Sequence, residues 1–361
     1  MKIIGALTRN SIFFNPPYEP YDRMGKEALA LRDEFNALIK DKKIEFEEIK
    51  CLCGNDSFYL LADYERHGIL QKIVMCERCG LIQSNPRMTP KTTDWFYGSD
   101  YYGKLYERIG DKATEQFILE ESEQRPQKRY EFIKNNVDYG RVQSVLEIGC
   151  GGGWSLYPFF KDGKKVVGYD YGPALINAGR KLGMDLRVGT IENDPNEHGK
   201  YDLILMNHVM EHFLDPVATI RNLQKYLATG GALYIEVPKT EKFIIDILVN
   251  AHNYYFTHHT FLHYLGRAGL APKALSEDRN PIGAQAGLFI KAPLGYSLPS
   301  LYHECERMKK IIAATERAHE WRNRIKNLSR STGLYPLARG LAHLKRKITK
   351  KLSRGRTASA V

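Results

Sequence analysis

The stretch at residues 147–153, with the sequence E-I-G-C-G-G-G, constrains the fold of this chain more than any other segment. It continues the apolar run at residues 142–146, which is typical of a buried strand. Glycines at alternate positions let the chain turn sharply and bring backbone N–H groups close to a ligand. These glycines are Gly149, Gly151 and Gly153. Because Asp170 ends the next predicted strand, the order strand, glycine turn, helix, strand, acid predicts a nucleoside-binding α/β domain with the acid on a ribose.

A dinucleotide-binding loop is the first interpretation to test, and Trp154 argues against it. This residue stands where the G-x-G-x-x-G fingerprint needs its last glycine. The stretch reads E-x-G-x-G-x-G instead. With Asp170 downstream, this pattern resembles motif I and the ribose-binding acid of class I S-adenosylmethionine-dependent methyltransferases. For the glycines alone, a tight strand-to-helix turn that binds nothing stays the plain alternative.

Four of the six cysteines form two close pairs, C-x-C and C-x-x-C, and a glycine follows each pair. The glycines let two tight turns curl so that the thiolates converge on one tetrahedral metal ion. Free or disulfide-bonded cysteines are the alternative, and a reducing compartment disfavours disulfides. The sequence therefore predicts a structural zinc site, although its first pair is one residue shorter than C-x-x-C. The predicted ligands are Cys51, Cys53, Cys76 and Cys79.

The segment after the second cysteine pair carries a closer family resemblance. It reads G-L-I-Q-S-N-P-R at residues 80–87, and a tyrosine pair follows at Tyr101 and Tyr102. This order of features resembles one group of bacterial methyltransferases: the cysteine pairs come first, then this segment, the tyrosine pair and a methyltransferase core. Members of this group have an N-terminal zinc-binding module, and many belong to sugar and surface-polysaccharide pathways. The resemblance covers residues 51–290.

The resemblance implies an α/β fold, with a seven-stranded, mostly parallel Rossmann-like methyltransferase sheet and helices on both faces. A small N-terminal zinc-ribbon module and a C-terminal helical tail are expected in addition. The expected domains are an N-terminal arm and helix at 1–48, the zinc-binding module at 49–104, the methyltransferase domain with a leading helix at 105–295, and a basic helical tail at 296–361.

Two further motifs agree with this family. Residues 188–192 follow the third predicted strand, where the family places a loop against the adenine. The apolar strand at 201–206 runs into N-H-V-M-E-H-F-L-D-P, in which Asp215 is expected to cap a helix that reaches Leu227 and ends at Gly230. The resemblance therefore implies S-adenosylmethionine as the cofactor. Its implied contacts are Glu147, Gly149, Gly151, Gly153, Asp170, Tyr171, Ile191, Glu192 and Asn207.

Histidines that follow the fourth and fifth strands are the candidate general bases. Methyl transfer from a sulfonium is an in-line displacement in which the protein mostly supplies position. A hydroxyl acceptor must also lose a proton, and histidine is the usual agent near neutral pH. His252 ranks first because it matches the family's histidine position, and His208 ranks second. Glu211 and His212 are interpreted as fixing the entry to the next helix.

The net charge of +11 is concentrated at one end of the chain. From His303 onward there are 16 Lys and Arg against 4 Asp and Glu, which leaves 37 against 38 in the rest. A neutral body disfavours nucleic acid as a partner, because phosphate contacts would make the face around an active site basic.

An amphipathic helix is predicted at residues 333–361, with a basic face. The apolar stripe of this helix consists of Leu334, Leu337, Leu341, Leu344, Ile348 and Leu352. Such a helix fits an anionic membrane surface, and docking on its own domain or on a partner protein is the alternative. No apolar run approaches the roughly 20 residues of a membrane span, and the N-terminal apolar stretch is too short for a secretory signal. We expect a cytoplasmic protein, peripheral at the inner face of a membrane.

The leading hypothesis is a methyltransferase that acts on a hydroxyl, or a ring carbon, of a sugar or glycan precursor, with a lipid-linked acceptor suited to the tail. An RNA-binding zinc-ribbon methyltransferase and a quinone-type small-molecule methyltransferase are the alternatives. The tetrapeptide N-P-P-Y at 15–18 resembles the acceptor motif of amino-methylating nucleic-acid enzymes. Those enzymes carry it after strand four, where Asn207 and His208 stand here, so an extended, proline-stiffened arm is predicted instead.

Overall fold

The computed structural model describes residues 1–8, 25–99, 101–105, 113–241, 248–276 and 284–331. The chain divides into two compact units, Met1–Lys309 and Lys310–Val361. The predicted tail helix at 333–361 and the N-P-P-Y arm at 15–18 lie outside the described residues. Within the described part, no helix is both long and apolar enough to cross a membrane.

The N-terminal third combines short strands with three helices. Its elements are β1 (Lys2–Ala6), α1 (Lys26–Lys40), β2 (Phe46–Glu47), β3 (Ser57–Tyr64), β4 (Leu70–Cys76), β5 (Ile82–Ser84), β6 (Arg87–Met88), α2 (Pro90–Gly98) and α3 (Tyr101–Leu105). The Thr89 hydroxyl accepts a hydrogen bond from Thr92 N and so caps α2, while proline stands at the start of that helix. This arrangement fixes where α2 begins.

The remaining described chain alternates helices and strands, as a doubly wound domain requires. Its elements are α4 (Glu115–Ser122), α5 (Arg125–Asn136), β7 (Ser144–Ile148), α6 (Tyr157–Lys161), β8 (Lys165–Asp170), α7 (Pro173–Lys181), β9 (Asp185–Val188), β10 (Tyr201–Asn207), α8 (Pro216–Leu223), β11 (Leu227–Pro238), β12 (Tyr254–Tyr255), α9 (His258–Arg267), β13 (Leu270–Leu275), β14 (Ala284–Lys291) and α10 (Glu304–Ser331).

Seven of these strands form one sheet in the order β13-β14-β11-β10-β7-β8-β9. Neighbouring strands from β11 to β9 are parallel, and β14 is antiparallel to both of its neighbours. Successive residues of the central strands face opposite layers: Leu146 packs into the core shared with α8 and α9, and Val145 into the core shared with α5 and α7. The predicted seven-stranded, mostly parallel sheet with helices on both faces is confirmed.

Two local expectations differ from the structure. The helix capped by Asp215 ends at Leu223, and Leu227 and Gly230 belong to β11 rather than to that helix. A turn of 3-10 helix at residues 224–226 separates the two elements, with Tyr226 buried beside the sheet. The apolar spacing continues past Leu223 because Leu223 at the end of α8 and Leu227 at the start of β11 pack into the same apolar core.

A second sheet joins distant parts of the chain in the order β1-β3-β4-β5-β12. Its last strand, β12, pairs antiparallel with β5 through Tyr254 opposite Gln83 and Tyr255 opposite Ile82. The segment after His252 thus extends the sheet that carries the cysteine pairs. One apolar core runs from the cysteines to a face of the seven-stranded sheet, so the two sheets are packed as one body.

Candidate functional site

Four polar side chains lie at one edge of the seven-stranded sheet, where parallel strands end. Glu147 is the second-last residue of β7 and Asp170 ends β8, while Asn207 ends β10 opposite Glu236 of β11. Carboxyl ends of neighbouring parallel strands meet at the same edge, which is where open α/β sheets bind ligands. The structure therefore brings together residues that the sequence analysis placed in three separate motifs.

The glycine turn after β7 adopts the backbone conformation that its sequence predicts. Gly149, Gly151 and Gly153 have φ of 67°, 55° and 82°, a left-handed region that side chains disfavour. A Cβ on Gly151 would lie 2.4 Å from the Trp154 ring. The turn is followed by the short helix α6, which begins with Pro158 in its first turn.

A second close approach holds the turn in place from behind. Gly179 of α7 packs so closely that a Cβ there would lie 2.3 Å from the backbone oxygen of Gly152. This contact lets α7 lie directly against the turn, because neither residue has a side chain in the way. Sequence reasoning missed Gly179, whose only signal is a glycine inside a helical pattern.

Hydrogen bonds link one acid at this edge to the backbone and the other to the Asn207 amide. Asp170 accepts from Gly151 N and Gly172 N, both at 2.8 Å. Asn207 Nδ2 donates to Glu147 Oε1 at 2.6 Å, while Glu147 Oε2 and Asn207 Oδ1 have no hydrogen-bond partner in the described part of the chain. Burial raises the pKa of Glu147 to about 8, although the Asn207 amide opposes this shift. The two buried, unpartnered oxygens indicate a place for a polar ligand.

The other predicted cofactor contacts border the same edge. Tyr171 is half exposed next to Asp170, and burial together with the negative charge of Asp94 on α2 raises its pKa. Ile191 is buried, and its backbone oxygen accepts a hydrogen bond from the Tyr226 hydroxyl at 3.1 Å. Glu192 is exposed beside it. All three follow the ends of β8 and β9, and Asp94 of α2 lies close enough to Tyr171 to interact with it electrostatically.

His208 belongs to an ionic network at the ends of β10 and β11. Its Nε2 lies 3.1 Å from Glu236 Oε1, and Glu236 accepts two hydrogen bonds of 2.7 Å from Arg129 of α5. Burial lowers the pKa of His208, but its interactions with Glu211 and Glu236 outweigh this effect and raise the pKa to about 9. His208 is therefore an imidazolium at neutral pH. It also has φ of 57°, a left-handed conformation that is uncommon for a residue other than glycine.

Three more groups complete what we call the histidine cluster, defined as His208, Glu211, His212 and His252. His252 is buried, with Nε2 4.0 Å from Glu211 Oε1 and its ring centroid 4.8 Å from that of His212. His212 Nδ1 lies 2.9 Å from the backbone oxygen of Ala251. The two predicted bases, His208 and His252, are thus neighbours of one buried carboxylate.

The N-terminal third forms one wall of the histidine cluster. The Ser84 hydroxyl at the end of β5 donates to the backbone oxygen of His252 at 2.7 Å. The Tyr97 hydroxyl from α2 lies 2.7 Å from His212 Nδ1, and the Tyr97 ring packs 4.9 Å from that of Tyr102. Aromatic faces beside polar groups suit a ring-shaped ligand.

The four predicted metal ligands converge on one point. The sulfurs of Cys51 and Cys79 are 3.4 Å apart, those of Cys53 and Cys76 are 3.6 Å apart, and all four lie within 4.8 Å of one another. The turns that carry them contain the predicted glycines, with φ of 85° at Gly54 and 69° at Gly80. Neither pair is a disulfide.

Arg129 and Glu236 are functional candidates that the sequence analysis did not identify. Glu236 had a usable signal, because it is a charged residue inside the apolar run that forms a strand buried on both faces. Arg129 had none, since a single arginine on a charged helix is unremarkable. Only the tertiary structure shows that the two form a buried ion pair next to His208.

Comparison with known proteins places a family domain over this site. Residues 101–274 match the family model described as "Methyltransferase domain". The chain is 30% identical over 114 residues to the ubiquinone biosynthesis O-methyltransferase of Xanthomonas oryzae pv. oryzae, a match that covers 30% of this chain and 47% of that protein. The chain is 32% identical over 114 residues to the enzyme of the same name from Marinobacter nauticus. This match covers 28% of this chain and 48% of that protein. The chain spans about half the length of the curated relatives it matches.

Solved structures align with parts of this chain at low sequence identity. The 1,6-didemethyltoxoflavin-N1-methyltransferase of Burkholderia thailandensis, solved with S-adenosylhomocysteine, is 17% identical with a TM-score of 0.43, covering 62% of this chain and 96% of that one. An S-adenosylmethionine-dependent methyltransferase from Mesorhizobium loti is 13% identical, with a TM-score of 0.39. This match covers 46% of this chain and 99% of that one.

Proposed function

We propose that this protein transfers a methyl group from S-adenosylmethionine to a hydroxyl of a sugar or glycan precursor. The match of residues 101–274 to the family model described as "Methyltransferase domain" supports this proposal. The observation that carries the proposal is the position of His252, beside Glu211 and next to the edge where β7, β8 and β10 end. A histidine there can take the proton that a hydroxyl must lose.

The cofactor supplies an activated methyl group, and the residues at the glycine turn fit it. We call this the donor side, defined as Glu147, the glycine turn, Asp170 and Asn207. Asp170 already accepts two backbone N–H bonds and would hold the ribose hydroxyls. The unpartnered oxygens of Glu147 and Asn207 would accept hydrogen bonds from the cofactor's amino acid portion.

His252 is a better candidate base than His208. His208 is protonated at neutral pH because Glu236 and Glu211 stabilise its positive charge, so it holds no lone pair for the acceptor proton. We assign His208 to electrostatic support of the site and His252 to proton removal. We call Glu211, His212, His252, Ser84 and Tyr97 the acceptor side.

The test of this assignment is a pair of histidine variants. We expect His252→Ala to reduce kcat by about a hundredfold or more, while the dissociation constant for S-adenosylmethionine stays within about twofold. His263→Ala is the matched control, because this histidine lies on α9 and contacts the backbone oxygen of Pro299 instead. Unchanged turnover in His252→Ala would falsify the assignment of the base.

A structural zinc ion is part of the proposal. Zinc–sulfur bonds of about 2.3 Å in a tetrahedron place the sulfurs about 3.8 Å apart, close to the 3.4 and 3.6 Å between the paired sulfurs here. Asn55 Nδ2 lies 3.5 Å from Cys76 Sγ and the Tyr264 hydroxyl 3.3 Å from Cys79 Sγ, where they would support bound thiolates. We expect about one zinc per chain in purified protein, and less than about half an equivalent would contradict the site.

A phenolic hydroxyl is the second candidate acceptor, since the relatives from Xanthomonas and Marinobacter are named ubiquinone biosynthesis O-methyltransferases. The aromatic wall of Tyr97 and Tyr102 suits either a sugar ring or a phenol. Labelled methyl transfer to nucleotide sugars, lipid-linked glycans and catechol-type phenols separates the two. Transfer to phenols alone would replace the sugar proposal.

Membrane association through residues 333–361 completes the proposal, supported by the amphipathic pattern in the sequence. We expect the intact chain to co-sediment with vesicles that contain anionic lipid, and a chain truncated after residue 332 to stay in the supernatant. Absence of the intact chain from the pellet would end this part of the proposal.

A further inference from the structure

Glu211 is a buried carboxylate beside His252, and the proposed function gives it no role toward that histidine. It lies in the 3-10 turn Met210–His212 and is 1% exposed. Neither of its carboxylate oxygens has a hydrogen-bond partner among the described residues. A buried carboxylate costs much free energy unless a positive group compensates it, so its surroundings need an explanation.

Two imidazoles approach Glu211 from different segments of the chain. His208 Nδ1 is 3.5 Å from Oε1, and His252 Nε2 is 4.0 Å from the same oxygen. His208 already has Glu236 as an ion-pair partner at 3.1 Å. The oxygen Oε1 of Glu211 is therefore shared by two imidazoles, and the second one within reach is that of His252.

Backbone contacts fix the distance between the two segments. Asn253 N donates to the backbone oxygen of Glu211 at 2.9 Å, and Asn253 Nδ2 donates to that of His212 at 2.7 Å. On the other side, Ser84 holds the backbone oxygen of His252. These contacts tie the Glu211 turn to the segment around His252, so the pairing does not depend on the flexible parts of either side chain.

We propose that Glu211 is a positioning residue for His252: it orients the imidazole and compensates the charge that the imidazole gains during methyl transfer. The inference rests on the proposed function. With a proton on Nε2 facing Glu211, Nδ1 is the ring nitrogen that takes the proton of the acceptor hydroxyl. The acceptor oxygen forms the new O–C bond to the methyl group while the C–S bond breaks and its electron pair stays on sulfur. The hydroxyl proton moves to Nδ1, and Glu211 stays ionised.

Other groups that face His252 do not replace this role. The rings of His212 and His252 are nearly perpendicular, and His212 Nδ1 contacts the Tyr97 hydroxyl and the backbone oxygen of Ala251. From β12, Tyr255 packs its ring 5.7 Å from that of His252 and donates its hydroxyl to the backbone oxygen of Val249. His208 is cationic, so it would oppose a second positive charge without the carboxylate between them.

The test combines Glu211→Gln with a pH profile of kcat. Gln keeps the size of the side chain but removes the charge, so we expect kcat at pH 7.5 to fall by about thirtyfold. We expect the acidic limb of the profile to move by about one pH unit toward lower pH, because the protonated imidazole loses its counter-charge. Glu211→Asp should restore part of kcat. Affinity for S-adenosylmethionine should stay within about twofold of the original.

Glu197→Gln is the matched control, since Glu197 is a buried carboxylate in the 3-10 turn Pro195–Glu197 before β10 and is outside the histidine cluster. It should leave the profile where it is. A Glu211→Gln profile that is lower but unshifted would reduce Glu211 to a structural role and overturn the inference. Binding of Mn²⁺ by the original protein that Glu211→Gln abolishes would also overturn it, because Glu211 would then be a metal ligand.

The His252→Ala result distinguishes the proposed role of His252 as the base from the proposed role of Glu211. If that variant turns over normally, the proposed base is wrong and Glu211 has nothing to position. If His252→Ala is inactive but Glu211→Gln keeps both its kcat and its profile, the proposed function stands and the inference about Glu211 alone fails.

Discussion

The donor side and the acceptor side of this site are built from very different spans of the chain. The donor side comes from one continuous stretch, with Glu147 and Asn207 60 positions apart at its extremes. The acceptor side joins Ser84 to His252 across 168 positions and reaches Tyr97 as well. Local sequence therefore determines the shape of the donor side, whereas the acceptor side depends on the contact between two sheets.

The variant with the largest expected effect disrupts the donor side and not the acceptor side. We expect Gly179→Ala to lower the free energy of unfolding by about 3 kcal/mol and to weaken S-adenosylmethionine binding at least tenfold, because its Cβ meets the backbone oxygen of Gly152. Alanine is the better helix former, so helix propensity alone predicts a higher free energy of unfolding for this variant. Denaturant unfolding and calorimetric titration measure both quantities.

The control for this variant is Gly98→Ala at the end of α2, where an added Cβ has no neighbour within 4 Å. It should be neutral or slightly stabilising. Equal behaviour of the two variants would show that the close approach of α7 to the glycine turn is unimportant.

Metal removal is the corresponding test of the acceptor side. If zinc occupies the cysteine site, its removal by a chelator should lower kcat at least tenfold, because β5 pairs with β12 directly after His252. S-adenosylmethionine affinity should change by no more than about threefold. Cys53→Ser should act in the same direction, and Cys305→Ser serves as a control outside the four ligands. A parallel loss of cofactor binding would show that the two sides are not separable.

A smaller effect on the acceptor side is expected from the loss of one hydrogen bond. Ser84→Ala removes the bond to the backbone oxygen of His252, which is worth about 1 kcal/mol, so we expect kcat to fall about fivefold. Cofactor affinity should not change. Ser99→Ala loses a 3.5 Å contact to the Phe96 oxygen and a 3.3 Å hydrogen bond from Tyr101 N, neither of which involves His252, and should retain full turnover. Equal turnover in both variants would mean that β5 does not position His252.

The smallest effect concerns stability rather than turnover. Burial raises the pKa of Glu65 from 4.5 to about 8, although its bonds from His67 N and Ile69 N oppose the shift. Its contribution to stability is present below pH 4.5 and is lost as the pH rises toward 8, since the unfolded chain ionises first. Glu65→Gln should therefore show a flatter dependence of Tm on pH and be at least about 3 °C more stable at pH 8.5. Parallel curves for the two proteins would contradict this.

The sequence was sufficient for the sheet and for the glycine turn, since apolar strands and left-handed glycines are local features. It also grouped four cysteines whose sulfurs lie together in the structure. It could not show the pairing of β12 with β5, because two tyrosines in a short strand carry no signal for a partner so far away. Nor could it show the pair of Arg129 and Glu236, the left-handed conformation of His208, or the sharing of Glu211 by two histidines. These features depend on the register of separate elements, which only tertiary packing fixes.

The pairing of β12 with β5 also has a consequence for how the chain is made. Ser84 leaves the ribosome 168 residues before His252, and at about 5–20 residues per second the edge of β5 waits roughly 10–30 s for its neighbouring strand. An unpaired strand edge is a template for association with other chains. We therefore expect the early sheet to be open to association with other chains until β12 is made, and slower translation across residues 85–250 to lower the yield of native protein.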